Sequence, residues 1–244
     1  MTSPVAKVVD LSHYNIIPLS LKPAYEAGIR GVIHKGTEGL GRLDPKCGGR
    51  YFLAKDAGLL WGLYHFIRPG DPVQQAQNFL SMTARVRDAK TLLVCDYEVP
   101  EVPLSNVLAF LDFVYQVTGR VRLPVLYSGN TLKEAQGDIT PLTKFPLWLA
   151  QYSPTPVLPK GFTKYWMWQF TDSGAIPGIT GAVDCNAYAG SDDALIADWT
   201  TGTVPDITTP VSLVESTIGV SLAVPPGVSV MLYINGESVY TSKT

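Results

Sequence analysis

Asp96 and Glu98 stand two residues apart at the end of an apolar run, in the stretch Thr91–Pro100, TLLVCDYEVP. Side chains alternate along a strand, so both acids face one way while Cys95 and Tyr97 face the other. Strand rise sets the two carboxylates roughly 7 Å apart, close enough to repel and to shift each other's proton affinity. General acid–base chemistry and metal binding are the leading uses of such a pair at the end of a buried strand; a solvated strand end is the plain alternative. Other acids help to decide between these. Asp10 ends the first strand candidate, AKVVDL, and Asp184 is read as ending the last, AVDCN. Four acids at three strand ends fit one catalytic mouth better than a scattered surface. Tyr64, Tyr127, Trp148 and Trp168 lie on or beside further strand candidates. Singly, each is more often core than ligand contact. As a ring around an acidic mouth they suit a sugar, whose flat apolar faces stack on aromatics while acids and amides bind its hydroxyls.

Eight runs can carry these groups: Ala6–Leu11, Gly31–Lys35, Gly62–Phe66, the stretch from Thr91, Pro124–Tyr127, Leu147–Gln151, Tyr165–Phe170 and Ala182–Asn186. Helical spacing falls between the early ones, at Ser20–Ala27, Tyr51–Leu60, Gln74–Val86 and Leu104–Gln116, with a short helix around Leu132–Gly137. Alternation of strand and helix predicts parallel strands with right-handed crossovers. Pro154, Pro156 and Pro159 leave no helix after the sixth strand. The expected fold is α/β, an eight-stranded (β/α) barrel with incomplete late helices; an open doubly wound sheet is the alternative. The texture changes after Trp199. Residues 1–200 are read as the barrel, 201–210 as a linker and 211–244 as a small β-rich segment, whose MLYINGESVY places Asn-Gly between two β-prone runs and predicts a hairpin.

A chain of 244 residues, 46% hydrophobic and 16% charged, can bury a sizeable core. A net charge of −2 and the lack of a Lys/Arg cluster argue against nucleic acid as a partner. No apolar run is long enough to span a bilayer, so no membrane partner is expected. The N-terminus MTSPVAKVVDLS has no apolar signal core and reads as synthesis in the cytoplasm without a signal peptide. Three cysteines, Cys47, Cys95 and Cys185, form neither a disulfide framework nor a zinc pattern and read as buried free thiols. His13, His34 and His65 lack metal-ligand spacing. His34 and His65 read as hydrogen-bonded core. No metal site and no cofactor is expected.

The ordered words DLSHYN (Asp10–Asn15), KGTEG (Lys35–Gly39), AGLLWGLYHF (Ala57–Phe66), DYE (Asp96–Glu98), LYS (Leu126–Ser128), LWLAQY (Leu147–Tyr152), WQF (Trp168–Phe170) and DCN (Asp184–Asn186) resemble the family 25 glycoside hydrolases, the Chalaropsis-type lysozymes found in many phage endolysins. The resemblance covers about Lys7–Tyr188 and implies a flattened eight-stranded barrel. It also implies cleavage of the β-1,4 bond between N-acetylmuramic acid and N-acetylglucosamine in bacterial peptidoglycan. It makes Glu98 the proton donor, Asp96 its partner carboxylate, and Asp10 and Asp184 the other acids of the site. Tyr64, Tyr127 and Trp148 fall where the family contacts sugar; Gln169 and Asn186, the amides of WQF and DCN, are assigned to substrate binding with them. Tyr97 stands where the family's D-x-E word often has an aliphatic residue.

A glycosidase needs one carboxylic acid for the leaving oxygen and a second group facing the cationic sugar. The expectation is that ionised Asp96 raises the pKa of Glu98 and keeps it protonated, while Asp96 stays charged. The i, i+2 spacing resembles that of substrate-assisted chitinases, which favours attack by the substrate's own N-acetyl oxygen. A chitinase-like hydrolase of N-acetylglucosamine polymers is the rival enzyme, but LLVCDYE carries no further Asp before the D-x-E word. A non-catalytic cell-wall-binding barrel is the rival outside enzymes, and the retention of all four acids argues against it. The setting expected is a phage endolysin or virion-associated lysin that reaches the wall from the host cytoplasm. Residues 211–244, without an acid–aromatic cluster, are assigned to wall targeting or self-association.

Overall fold

The structure, a computed structural model, describes residues 4–119, 121–201, 231–234 and 237–240. Eight strands close into a barrel: β1 (Val8–Leu11), β2 (Gly31–Glu38), β4 (Leu60–Phe66), β5 (Leu92–Asp96), β6 (Val125–Ser128), β7 (Leu147–Ala150), β8 (Met167–Gly174) and β9 (Val183–Ala187). A two-residue strand, β3 (Arg42–Leu43), hangs on the outer end of β2. Pairing of β1 with both β2 and β9 shuts the ring. The barrel expectation holds, and the open sheet is excluded by that closure.

The strands are not all parallel. From β1 round to β8 each pair is parallel, but β9 runs antiparallel to both β8 and β1. The cause lies in the connection. A parallel return needs a crossover of a dozen or more residues. Residues 175–182 are too few and include Pro177 and Gly178. Asp184 therefore stands at the start of its strand, not at its end. Reversal brings that start to the same mouth as the ends of the other strands.

Alternation sorts the side chains into two cores. Val8, Ile33, Leu92, Val94, Val125 and Met167 point into the barrel, where they form one buried cluster with Tyr127 and Trp148. Val9, Val32, Leu63, Leu93, Cys95 and Leu126 point outward against the helices. Those helices are α1 (Lys22–Glu26), α2 (Cys47–Asp56), α3 (Pro72–Met82), α4 (Leu104–Val117) and α5 (Asn130–Lys133). Helix α3 begins two residues before the predicted start because Asp71 caps it, accepting from the amides of Val73 and Gln74 at 2.9 and 3.0 Å. No helix occupies residues 151–166, as the prolines there predict.

A sixth helix, α6 (Asp192–Thr201), was not anticipated. Its Leu195 and Trp199 are fully buried and plug the end of the barrel opposite the acids. Ring atoms of Trp199 lie 3.0–3.2 Å from where a Cβ would stand at Gly31 and Gly62, so both glycines admit the indole. Its ring nitrogen donates to the carbonyl of Trp61 at 3.1 Å. Cys47, Cys95 and Cys185 are free and buried. Strands β10 (Met231–Ile234) and β11 (Glu237–Tyr240) pair antiparallel in the register of the predicted hairpin. The chain divides into compact units at Asp206/Ile207. The proposed linker at 201–210 falls almost entirely outside the described residues. No helix among the described residues is long and apolar enough to cross a membrane.

Candidate active site

At the mouth of the barrel Asp10, Asp96, Glu98 and Asp184 line one cleft with Tyr64, Tyr127, Trp148, Tyr152 and Gln169, enclosing about 170 Å³. The lumen rows explain the convergence. Val8 and Asp10, or Val94 and Asp96, are two apart, so a strand that buries the first residue in the barrel aims the acid above it into the mouth. Asp10 and Asp96 are only 7% and 5% exposed, whereas Glu98 lies at the rim, open to solvent on one side.

Asp10 is the best-tethered acid. One carboxylate oxygen accepts from Gln169 at 3.0 Å and from Asn186 at 2.9 Å. Those amides are held in turn. Tyr127 and Tyr152 each donate a hydroxyl to the Gln169 oxygen at 2.9 Å, and Trp148 donates its ring N–H to the Asn186 oxygen at 2.6 Å. Asn186 also donates to the carbonyl of Val8 at 3.2 Å and is wholly buried. Asn186 thus sits beneath the cleft and orients Asp10, where the sequence assigned it to substrate. Gln169 does reach the cleft, but its amide atoms are engaged in the same network. Trp168 turns away from the cleft, donating its ring N–H to the carbonyl of Gln151 at 2.7 Å.

The four acids form two pairs. Burial raises the pKa of Asp10, against the amides that favour its charge. Asp184 is raised by burial and then by the charge of Asp10, and shares a hydrogen bond in which Asp184 carries the proton. Asp96 is raised well above the usual carboxylate range, by burial first and by the Glu98 charge second. Glu98 is raised by desolvation, but the hydrogen bond it accepts from Asp96 pulls it back. Asp96 is held further above the ordinary range than Glu98, because the deeper carboxyl has more to lose by ionising.

Residues that the sequence reading passed over complete the site. Tyr152 belongs to the word LWLAQY, yet its hydroxyl reaches Gln169. Lys35 of KGTEG pairs with Glu38 at 2.6 Å, and Glu38 pairs with Arg68 at 2.7 Å. A bulge at Gly36 makes that possible. The register slips between Lys35 and Thr37, so Thr37 turns outward to His65 at 2.7 Å while Glu38 returns to the side of Lys35. The Lys35 charge favours ionisation of both Asp96 and Glu98. His65 is buried between Thr37 and Gln75, and His34 donates its Nδ1–H to the Lys35 carbonyl at 2.8 Å, so both are the core residues expected. Among the described residues no group of His, Cys, Asp and Glu has the arrangement of a metal site.

Comparison with known proteins agrees with this geometry. The model of the glycosyl hydrolases family 25 matches residues 9–179. An autolytic lysozyme of Clostridium acetobutylicum is 31% identical over 67% of this chain and 50% of its own length, so the chain spans about half of that relative. Lysozyme M1 of Streptomyces globisporus is 30% identical over 78% of this chain and 69% of its own. The crystal structure of the bacterial lysozyme from Streptomyces coelicolor superposes with a TM-score of 0.71 at 26% identity, covering 83% of this chain and all of that one. With its barrel, its ordered words and its acidic mouth, the chain belongs to the glycosyl hydrolases family 25.

Proposed function

We propose that this chain is a muramidase that hydrolyses the β-1,4 bond between N-acetylmuramic acid and N-acetylglucosamine in peptidoglycan. The observation that carries the reading is the grouping of acids in one cleft: Asp96 buried beneath Glu98 at the rim, and a buried Asp10 carboxyl held by two amides. Glu98 borders the solvent, where a leaving oxygen would sit. When a sugar fills the cleft it displaces water from Glu98 and brings developing positive charge towards Asp96. Both effects move the proton from Asp96 to Glu98. Glu98 then protonates the glycosidic oxygen, which leaves with the bonding electron pair. The acetamido oxygen of the same sugar closes on the anomeric carbon, while Asp96, now ionised, accepts the acetamido N–H. Water opens the oxazolinium with Glu98 as base, restoring both acids. Tyr64 and Trp148 supply the apolar wall.

Analysis of the reducing ends released from purified cell walls tests the reading. Muramic acid ends are expected; glucosamine ends, or no ends at all, would refute it. The biological setting proposed is a phage lysin made in the reducing cytoplasm, which three buried free thiols suit. Residues 211–244 are assigned to wall targeting or self-association.

A further inference from the structure

Beside the acidic cleft lies a second hollow of about 480 Å³. It shares Glu98, Tyr127 and Tyr152 with the cleft, but Asp10, Asp96 and Asp184 do not line it. Its far wall comes from α5 and the end of β7, and there Lys133 is the one cation. The Lys133 ammonium donates to the side-chain oxygen of Gln151. Gln151 is itself fixed: the same oxygen accepts from the Val157 amide at 2.9 Å, and its NH2 donates to the Ser153 hydroxyl at 2.8 Å. Lys7, Lys22, Lys35, Lys55 and Lys144 each meet a carboxylate. Lys133 is half-buried and meets a neutral amide instead. Partial burial of an ammonium is unfavourable without a counter-ion, and burial lowers its pKa.

The position of Glu98 tells which part of a substrate would enter this hollow. A general acid sits between the two sugars it separates. The sugar that becomes cationic belongs over Asp96 and Asp10, so the hollow beyond Glu98 takes the leaving-group side. The leaving sugar itself is N-acetylglucosamine and neutral, but the muramyl residue that follows it on this side carries carboxylates, on its lactyl group or on its stem peptide. The ionised carboxyl groups of the cleft repel such a strand, and the Lys133 ammonium in the adjoining hollow offsets that repulsion.

Resting on the muramidase reading, we propose that Lys133 binds a carboxylate of a muramyl residue on the leaving-group side, so that this hollow selects acidic wall glycan over neutral chitin-like polymer. The test uses soluble peptidoglycan fragments in three forms: peptide-bearing, stripped of peptide so that the lactyl carboxylate is free, and with all carboxylates converted to amides. Lys133→Met should raise KM about tenfold on the acidic fragments with kcat near wild type, the size of one partly exposed charge-assisted hydrogen bond. Lys133→Arg should stay close to wild type. On amidated fragments wild type should fall to the level of Lys133→Met, and the variant should not change. The first two forms separate the sources: dependence on Lys133 only with peptide present assigns the stem, and dependence retained without it assigns the lactyl group. An equal KM rise on amidated and acidic fragments would make Lys133 merely a prop for Gln151, and no rise on any acidic fragment would also overturn the proposal. Calorimetric binding of the same fragments follows the same pattern independently of turnover. Lys133-dependent binding without hydrolysis would fault the muramidase reading and leave this one standing.

Discussion

Glu98 and Asp96 stand two residues apart and differ in depth, and the roles proposed for them rest on that difference. Glu98→Gln keeps shape and hydrogen bonding but cannot give up a proton. Turnover of wall glycan should fall by roughly 10²–10⁴-fold, the usual contribution of a general acid. Asp96→Asn should also be slow, for two reasons: it removes the store from which Glu98 is protonated, and it removes the anion that faces the cationic sugar. The variants should part company on an activated aryl glycoside, whose leaving group barely needs a proton. Turnover of each on activated and natural substrates is the measurement. Rescue of Glu98→Gln alone is expected; rescue of Asp96→Asn alone would exchange the two roles.

At the scale of elements, α6 is the least obvious part of the fold and the easiest to test. Trp199 is fully buried at the base of the lumen and hydrogen-bonded to Trp61. Trp199→Ala should cost about 3–5 kcal/mol and lower Tm by about 10 °C, read by calorimetry. A Tm near wild type would mean that the barrel closes without its plug. The sequence reading missed this helix because only two apolar positions, Leu195 and Trp199, are buried from it, too few for periodicity to register. The cues that exist are local: Ser191 accepts from the Ala194 amide at 3.1 Å, and Asp192 in the first turn pairs with Lys7 and Arg30. By contrast, Leu92–Val94, a continuous apolar run buried on both faces, and the row of Val107, Leu111 and Val114, buried at helical spacing, announce their elements. The convergence of Asp10, Asp96 and Glu98 was legible because acids that follow apolar runs conflict with burial, whereas Asp184 was picked out with its strand read in the wrong direction. Asn186, Tyr152 and Lys35 were not, because their roles depend on contacts across the barrel that no spacing along the chain encodes. The antiparallel turn of β9 was legible in principle, in the shortness of residues 175–182.

At the scale of the whole molecule, every residue of the cleft and of the hollow beside it lies between Asp10 and Asp184. A chain ending at Asp206 keeps α6 and should hydrolyse soluble fragments as the full chain does, with any loss confined to whole walls. A folded truncation inactive on fragments would show that residues 207–244 help to build the site. The same cluster sets how the fold responds to pH. Asp10, Asp96, Glu98 and Asp184 all have pKa values raised in the folded state. A raised carboxyl binds its proton more tightly when folded, so its contribution to stability is full below the ordinary value and is lost as pH rises through the folded pKa. His34 and His65 work the other way: burial lowers both to about 4, so the unfolded chain takes up their protons first and stability falls as pH drops below the ordinary histidine range. The two trends overlap in mild acid, and a single melting curve would not separate them. Asp184→Asn does. An amide in that place can still donate to Asp10, as the protonated acid does, but it never ionises. The histidine contribution is the same in both proteins and cancels in the difference. The variant's Tm minus that of wild type should therefore grow from about pH 4 to about pH 8, while turnover falls. A difference that stays constant with pH would mean that Asp184 titrates alike in folded and unfolded chains, and that the Asp10–Asp184 pair shares no proton.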